Sequence, residues 1–202
     1  MATGWPATLS VGDVRLRPLR GRDQQVWRAL RAQNAAWLEP WDASSPLPPK
    51  GPRPTFGHYV RTLASQARSG LALPFALDYR KELVGQRTVS SITYGSLCSA
   101  TIGYWISEHV AGRAITPTAV ALAVDHCFFR LGLHRVEVNI RPENLPSLRV
   151  VEKLGLRDEG VRERYLHIAG EWCDHRSFAL TADEVPGGLL ARWHAAARRV
   201  EG

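Results

Sequence analysis

One stretch of the sequence is built to hold an anion. Ala111-Gly112-Arg113-Ala114 leads from a strand-like run ending at Ser107 into Ile115-Thr116-Pro117. Thr is a favoured helix N-cap and Pro a favoured first helical residue, so a helix is predicted to open at Thr116-Pro117. The first N–H groups of a helix lack intrahelical acceptors, and the helix dipole adds partial positive charge there. Backbone donors over 111–116 can therefore hold a phosphate, although a tight turn without a ligand has the same composition. The stretch is neither a GxxxxGK(S/T) loop nor GxGxxG. A second candidate is Asp174-His175. An imidazole with a reference pKa near 6.5 can take a proton, directly or through water; the alternative is a structural Asp–His hydrogen bond bracing a strand. Cys98, Cys127 and Cys173 are scattered, with no CxxC pair. They predict core or strand residues in a reducing cytoplasm, with no metal site and no disulfide framework. No Ser/His/Asp or Cys/His arrangement suggests covalent catalysis.

The elements that must position these residues follow from periodicity. Val14 to Leu19 alternates like a strand, and a helix is expected from Arg22-Asp23 to about Asn34, with Val26, Trp27 and Leu30 on one face. Pro40, Pro46, Pro48, Pro49, Pro52 and Pro54 predict a long loop. Trp37 and Trp41 flank Glu39-Pro40 beside it, as packing or as the wall of a pocket. A helix over 55–68 and a hairpin of 73–80 with 83–94 follow, turning at Arg80-Lys81-Glu82. Cys98 to Ser107 is a strand. The helix after Thr116-Pro117 carries Val120, Val124, Cys127, Phe128 and Leu131, and Gly132 ends it. A strand over 135–140 comes next. Asn144 caps a short helix carrying Leu148, Val151 and Leu154, stopped by Gly155. Strands over 157–168 and 172–180 meet at Ala169-Gly170, and a last helix covers about 188–200. The result is a mixed α/β (α+β) chain with a mainly antiparallel sheet flanked by helices, read as one domain over 1–202 with its core at about 12–182.

Composition sets bounds. The 202 residues are 45% hydrophobic and 22% charged, in the globular range. No apolar run is long enough for a membrane span, and residues 1–23 lack the apolar segment of a secretory signal. The net charge is +7, but only three of 26 basic residues are Lys and no block of like charge occurs. The excess reads as a diffuse surface or a phosphate-facing cluster, with no specific nucleic-acid partner.

Gly103-Tyr104-Trp105-Ile106-Ser107, followed by Gly112-Arg113-Ala114-Ile115-Thr116, resembles the acetyl-CoA motif of the GNAT N-acetyltransferases, with His109, Gly112 and Ala114 on its key positions. Asn139 to Ser147, Glu152-Lys153-Leu154-Gly155-Leu156, Glu159-Gly160 and the run from Tyr165 to His175 resemble the ribosomal-protein alanine acetyltransferase branch, RimJ/RimL. The resemblance implies a sheet splayed at the strand that carries Trp105, Ile106 and Ser107. Pantetheine would lie in the gap. Ala111, Gly112, Arg113, Ala114, Ile115 and Thr116 would hold the pyrophosphate of acetyl-CoA, and Asn144 would touch coenzyme A. Ser147 is the implied proton donor and cofactor contact. The tyrosine that many members use as acid falls on Val151, and the branch's glutamate base falls near Leu166. Asp174, His175 and Glu39 are the remaining candidates for base and acceptor contacts.

The implied reaction is direct attack of a primary amine on the thioester, with the N-terminal amine of a ribosomal protein as the first reading. Such an amine has a reference pKa of about 7.7–8.0 and arrives partly neutral. A small amine such as an antibiotic or polyamine is the second reading, and a non-catalytic CoA-binding or RNA-binding module the third. A monomer or a homodimer would serve any of them.

Overall fold

The computed structural model describes residues 4–48, 51–52 and 54–201; Pro49 of the proline-rich stretch lies outside them. Two strands open the chain, β1 (Leu9–Val11) and β2 (Val14–Pro18), joined across Gly12-Asp13. The sequence reading missed β1, which is only three residues long. Helix α1 (Gln24–Gln33) leads into a short helix α2 (Ala35–Leu38) and a 3-10 turn (Glu39–Trp41). The segment just before the proline-rich stretch is therefore ordered helix. Helix α3 (Phe56–Arg68) starts on Thr55, whose Oγ1 accepts the His58 N–H at 3.2 Å.

Strands β3 (Leu73–Tyr79) and β4 (Glu82–Thr93) form the expected hairpin, with Arg80 and Lys81 both at positive φ in the two-residue turn. β5 (Ser99–Ile106) completes this half of the sheet. Helix α4 (Ile115–Phe129) follows, then β6 (Arg135–Ile140), α5 (Leu145–Leu154), β7 (Arg157–Ile168), β8 (Glu171–Thr181) and α6 (Leu189–Glu201).

The eight strands form one sheet in the order β1-β2-β3-β4-β5-β6-β8-β7. Every neighbouring pair is antiparallel except β5 and β6. The larger core joins the sheet to α4 through residues such as Phe75, Ile102, Val120, Val124 and Val136. A smaller apolar cluster, Leu19, Leu30, Phe56, Ala76 and Leu83, includes residues of α1 and α3. The Val120, Val124 and Cys127 stripe is buried as expected, but Ala119, Ala121 and Ala123 are buried too. Helix α4 is enclosed on several sides because α6 and α5 also pack against it. At the start of α6, the Asp125 carboxylate accepts the Leu189 N–H at 2.6 Å and the Leu190 N–H at 3.2 Å.

The start of α4 corrects the sequence reading. Ala114 is the N-cap, in the left-handed region at φ +59°, and Ile115 is the first helical residue. Thr116 and Pro117 lie inside the first turn and are buried. The bend is made by two left-handed residues, Gly112 and Ala114, which composition alone does not reveal.

Candidate active site

The site is set by where the sheet parts. β5 pairs with β6 only at Ser99↔Arg135, Ala100↔Val136 and Thr101↔Glu137. Beyond Thr101, β5 stays with β4 as far as Gly85↔Ile106, while β6 stays with β8 as far as Ile140↔Arg176. The Ser107 N–H donates to the Val84 carbonyl at 2.8 Å. Peptide groups alternate sides along a strand, so those of Tyr104 and Ile106 face the parting. Gly85 permits the close approach of β4 here: a Cβ on it would stand 2.4 Å from the Trp105 carbonyl oxygen.

A cavity of about 600 Å³ opens along this edge. One end is the loop into α4. None of the N–H groups of Gly112 to Thr116 donates to a protein acceptor among the described residues. Gly112, Ala114, Ile115 and Thr116 line the cavity, with Arg149 and Lys153 of α5 on the opposing wall. The loop therefore offers backbone donors at a helix start and two nearby cations, the chemistry of a phosphate seat. Trp37 forms another part of the wall, and its indole N–H donates to the Ile106 carbonyl at 3.1 Å.

A second cavity, of about 190 Å³, lies toward β8. Trp41, Gly103, Tyr104, Asn144 and Ser147 line both, so the two spaces meet at the parting. Among the described residues, no Asp or Glu lines the small cavity, and Asp42, the single carboxylate of the large one, is ion-paired with Arg31. The chain after Trp41 runs beside the β7–β8 hairpin: Ala43 bridges Ile168, and the Ser44 N–H donates to the His167 carbonyl at 2.8 Å.

The structure brings together most of the residues singled out in the sequence. Trp105, Ile106, Ala111, Gly112, Ala114, Ile115, Thr116, Asn144 and Ser147 line the large cavity. Asn144 Oδ1 accepts the Ser147 N–H at 3.1 Å, so the expected N-cap also sits at the cavity wall. Others fall elsewhere. Ser107 is buried at 1% exposure, where its hydroxyl bonds Asn34 Nδ2 and His109 Nδ1, each at 2.8 Å. It fastens β5 to α1 and lines neither cavity. Arg113 is exposed and outside both linings. Glu39 is exposed on the 3-10 turn, pointing away while its neighbours Leu38 and Pro40 line the cavity.

Asp174 and His175 do not form a pair. Successive strand residues face opposite sides of the sheet. Asp174 is exposed and accepts the Arg164 N–H at 2.8 Å. His175 is buried at 3% exposure and lines the small cavity. Its Nδ1 lies 3.0 Å from the Cys173 carbonyl, which can only accept. Neutral His175 therefore carries its proton on Nδ1 and keeps an acceptor lone pair on Nε2. Burial lowers its pKa below the ordinary value.

Several site residues escaped the sequence reading. Gln86 links the Trp27 indole N–H, at 2.9 Å, to the Tyr59 hydroxyl, at 2.9 Å, and lines the large cavity. Arg87 lies wholly buried with its guanidinium 4.6 Å from the centroid of the Tyr104 ring. The available signal was Gln86-Arg87 in the middle of the strand, between the apolar Leu83-Val84 and Val89. Cys127 is a core thiol whose pKa burial pushes up to about 12. Among the described residues, no His/Cys/Asp/Glu group could hold a metal ion, and no helix is long and apolar enough to cross a membrane.

Known proteins resemble this chain in sequence and in fold. Residues 13–157 match the family described as acetyltransferase (GNAT) domain. The Bacillus subtilis protein named "Probable N-acetyltransferase YjcK" is 32% identical over 82% of this chain and 92% of its own. The ribosomal protein uS5-alanine N-acetyltransferase of Escherichia coli is 30% identical over 82% of this chain and 87% of its own. Mycobacterium smegmatis RimJ, solved in complex with CoA-disulfide, superposes with a TM-score of 0.87 at 39% identity, covering 96% of this chain and 97% of that one.

Proposed function

The chain belongs to the acetyltransferase (GNAT) domain family and is an N-acetyltransferase of RimJ/RimL type, and we propose that its acceptor is the N-terminal α-amine of a ribosomal protein and its donor acetyl-CoA. The observation that carries the reading is the meeting of the two cavities at Gly103, Tyr104, Asn144 and Ser147, across the strand parting. A donor held along β5 and an amine held in the small cavity would face each other there.

Acetyl-CoA supplies an activated acetyl group as a thioester. The residues present fit it: backbone N–H groups at 112–116 would take the pyrophosphate, with Arg149 and Lys153 adding charge, and the exposed peptide edge of Tyr104 and Ile106 would take the pantetheine amides. Asn144 holds the first turn of α5 so that Ser147 faces the junction. His175 Nε2 is the acceptor best placed to take a proton from the incoming amine, directly or through water, since Asp174 faces away and Glu39 lies outside. Tyr104 and Ser147 are the two hydroxyls at the junction. Direct transfer needs no nucleophile on the protein.

The linings also weigh against polycationic acceptors. A polyamine or aminoglycoside would bring ammonium groups to a small cavity without a carboxylate, beside Arg141. Incubation with acetyl-CoA and a panel of N-terminal peptides of ribosomal proteins, read by mass spectrometry against polyamines and aminoglycosides, tests the proposal. Acetylation of one or more peptides at the α-amine is expected; acetylation of the small amines alone would reject it.

A further inference from the structure

Arg87 is a buried cation in search of a purpose. It sits on the central strand β4 at 0% exposure, and its Nε, Nη1 and Nη2 find no hydrogen-bond partner among the described residues. Burial pulls its pKa down to about 10, so it stays charged at neutral pH. A buried, unpaired charge is among the more expensive features a fold can carry. Most buried polar groups are satisfied, and one that is not calls for a reason.

Among the described residues, its aromatic partner is Tyr104. The two residues are register neighbours on β4 and β5, and the guanidinium stands 4.6 Å from the ring centroid. Arg87 lines neither cavity, whereas Tyr104 lines both and reaches toward α5, its hydroxyl donating weakly to the Ser147 carbonyl at 3.5 Å. The positive charge thus lies behind a phenol whose hydroxyl is at the junction of the cavities. On α5, Val151 is a core residue and offers no proton.

We propose that Tyr104 supplies the proton taken by the departing sulfur, and that Arg87, stacked on its ring, is the positioning residue that stabilises the phenolate as it forms. This rests on the acetyl transfer proposed above. As the amine nitrogen bonds the acetyl carbon, the carbon–sulfur bond breaks and sulfur leaves with the electron pair. The Tyr104 hydroxyl proton moves to sulfur, giving the free thiol. The proton that His175 Nε2 takes from the amine nitrogen returns through water to the phenolate oxygen, and the side chains end as they began. Burial pushes the Tyr104 pKa up to about 12, while the Arg87 charge and the Ser147 side chain pull it down. Without the cation the phenol would be a still poorer donor.

Three measurements on the full chain test this. In the first, Tyr104→Phe is expected to lower kcat about 100-fold, the scale of a lost general acid, with acetyl-CoA affinity by calorimetry unchanged. A selenoester analogue of acetyl-CoA, whose more acidic selenol leaves without a proton, should bring this variant back toward wild-type turnover. In the second, Arg87→Met should lower kcat at least tenfold and yet raise the melting temperature, because it removes an unpaired buried charge. In the third, the Tyr104 ring carbon followed by NMR through alkaline titration of the free protein should titrate at higher pH in Arg87→Met than in wild type. Turnover of Tyr104→Phe within twofold of wild type overturns the proposal, as does a Tyr104 titration unmoved by Arg87→Met. A lower melting temperature in Arg87→Met makes Arg87 structural and overturns its role. A wild-type chain that acetylates no amine defeats the acetyl-transfer reading, and the Arg87–Tyr104 coupling is still decided by the titration.

Discussion

The indole N–H of Trp37 donates to the carbonyl of Ile106 across 3.1 Å, joining helix α2 to the strand edge that borders the large cavity. This bond fixes one wall of the cavity from a segment 69 residues away in sequence. Trp37→Phe keeps an aromatic ring in the wall but removes the donor together with part of the indole packing. The expected stability loss is about 1 kcal/mol, with a several-fold rise in KM for acetyl-CoA and a smaller change in kcat. Denaturant melts with steady-state kinetics would show it.

Gly112 adopts φ +81°, and nothing lies within 4 Å of where its Cβ would be. The constraint is conformational and not one of space. Gly112→Val forces a β-branched side chain into the left-handed region at a cost of about 1–3 kcal/mol, which the exposed loop relieves by rearranging. The N–H groups of 112–116 then lose their common aim. Calorimetry should report at least tenfold weaker acetyl-CoA binding, with a melting temperature close to wild type.

His175 is held neutral by burial, so its acceptor nitrogen persists below the ordinary histidine pKa. A base works in its unprotonated form. With the acceptor concentration counted as neutral amine only, the profile of kcat/KM should therefore stay flat as pH falls through 6.5 and drop only below it. His175→Gln should lower kcat/KM about 100-fold and abolish that acidic limb. A limb that survives in the variant would place the base elsewhere.

Outside both cavity linings, Arg17 bonds Asp78 through Nε at 2.7 Å and Asp23 through Nη1 at 2.7 Å, with all three side chains nearly enclosed. Removing the cation strands two carboxylates. Arg17→Leu should cost about 3 kcal/mol or more, seen as a lower midpoint in urea denaturation. Arg80→Leu, which breaks an exposed pair with Asp13, should change the midpoint little.

The framework was readable because its signals are local. Periodicity gave the hairpin at Arg80-Lys81, and Asn144 with Gly155 marked both ends of α5. The start of α4 was misplaced because Thr116 and Pro117 fit equally well inside the first helical turn, while the left-handed turn at Ala114 leaves no trace in composition. The candidate site was half legible. Asn144, Ser147 and the loop residues stand in a recognisable run. The expected link between Asp174 and His175 failed on strand alternation, and Glu39 failed because its turn points it outward. Arg87 and Gln86 were missed because their significance depends on Tyr104, Trp27 and Tyr59, which other elements supply.

The three register pairs that join β5 to β6 also make a mechanical seam. On one side stand the strands from β1 to β5, on the other β6, β8 and β7. A molecule lying along the open edge of β5 and gripping both α4 and α5 would act as a splice between two half-sheets. Its binding free energy would then be shared as cooperativity: the loaded protein should melt in one sharper transition, at a temperature that rises with ligand concentration.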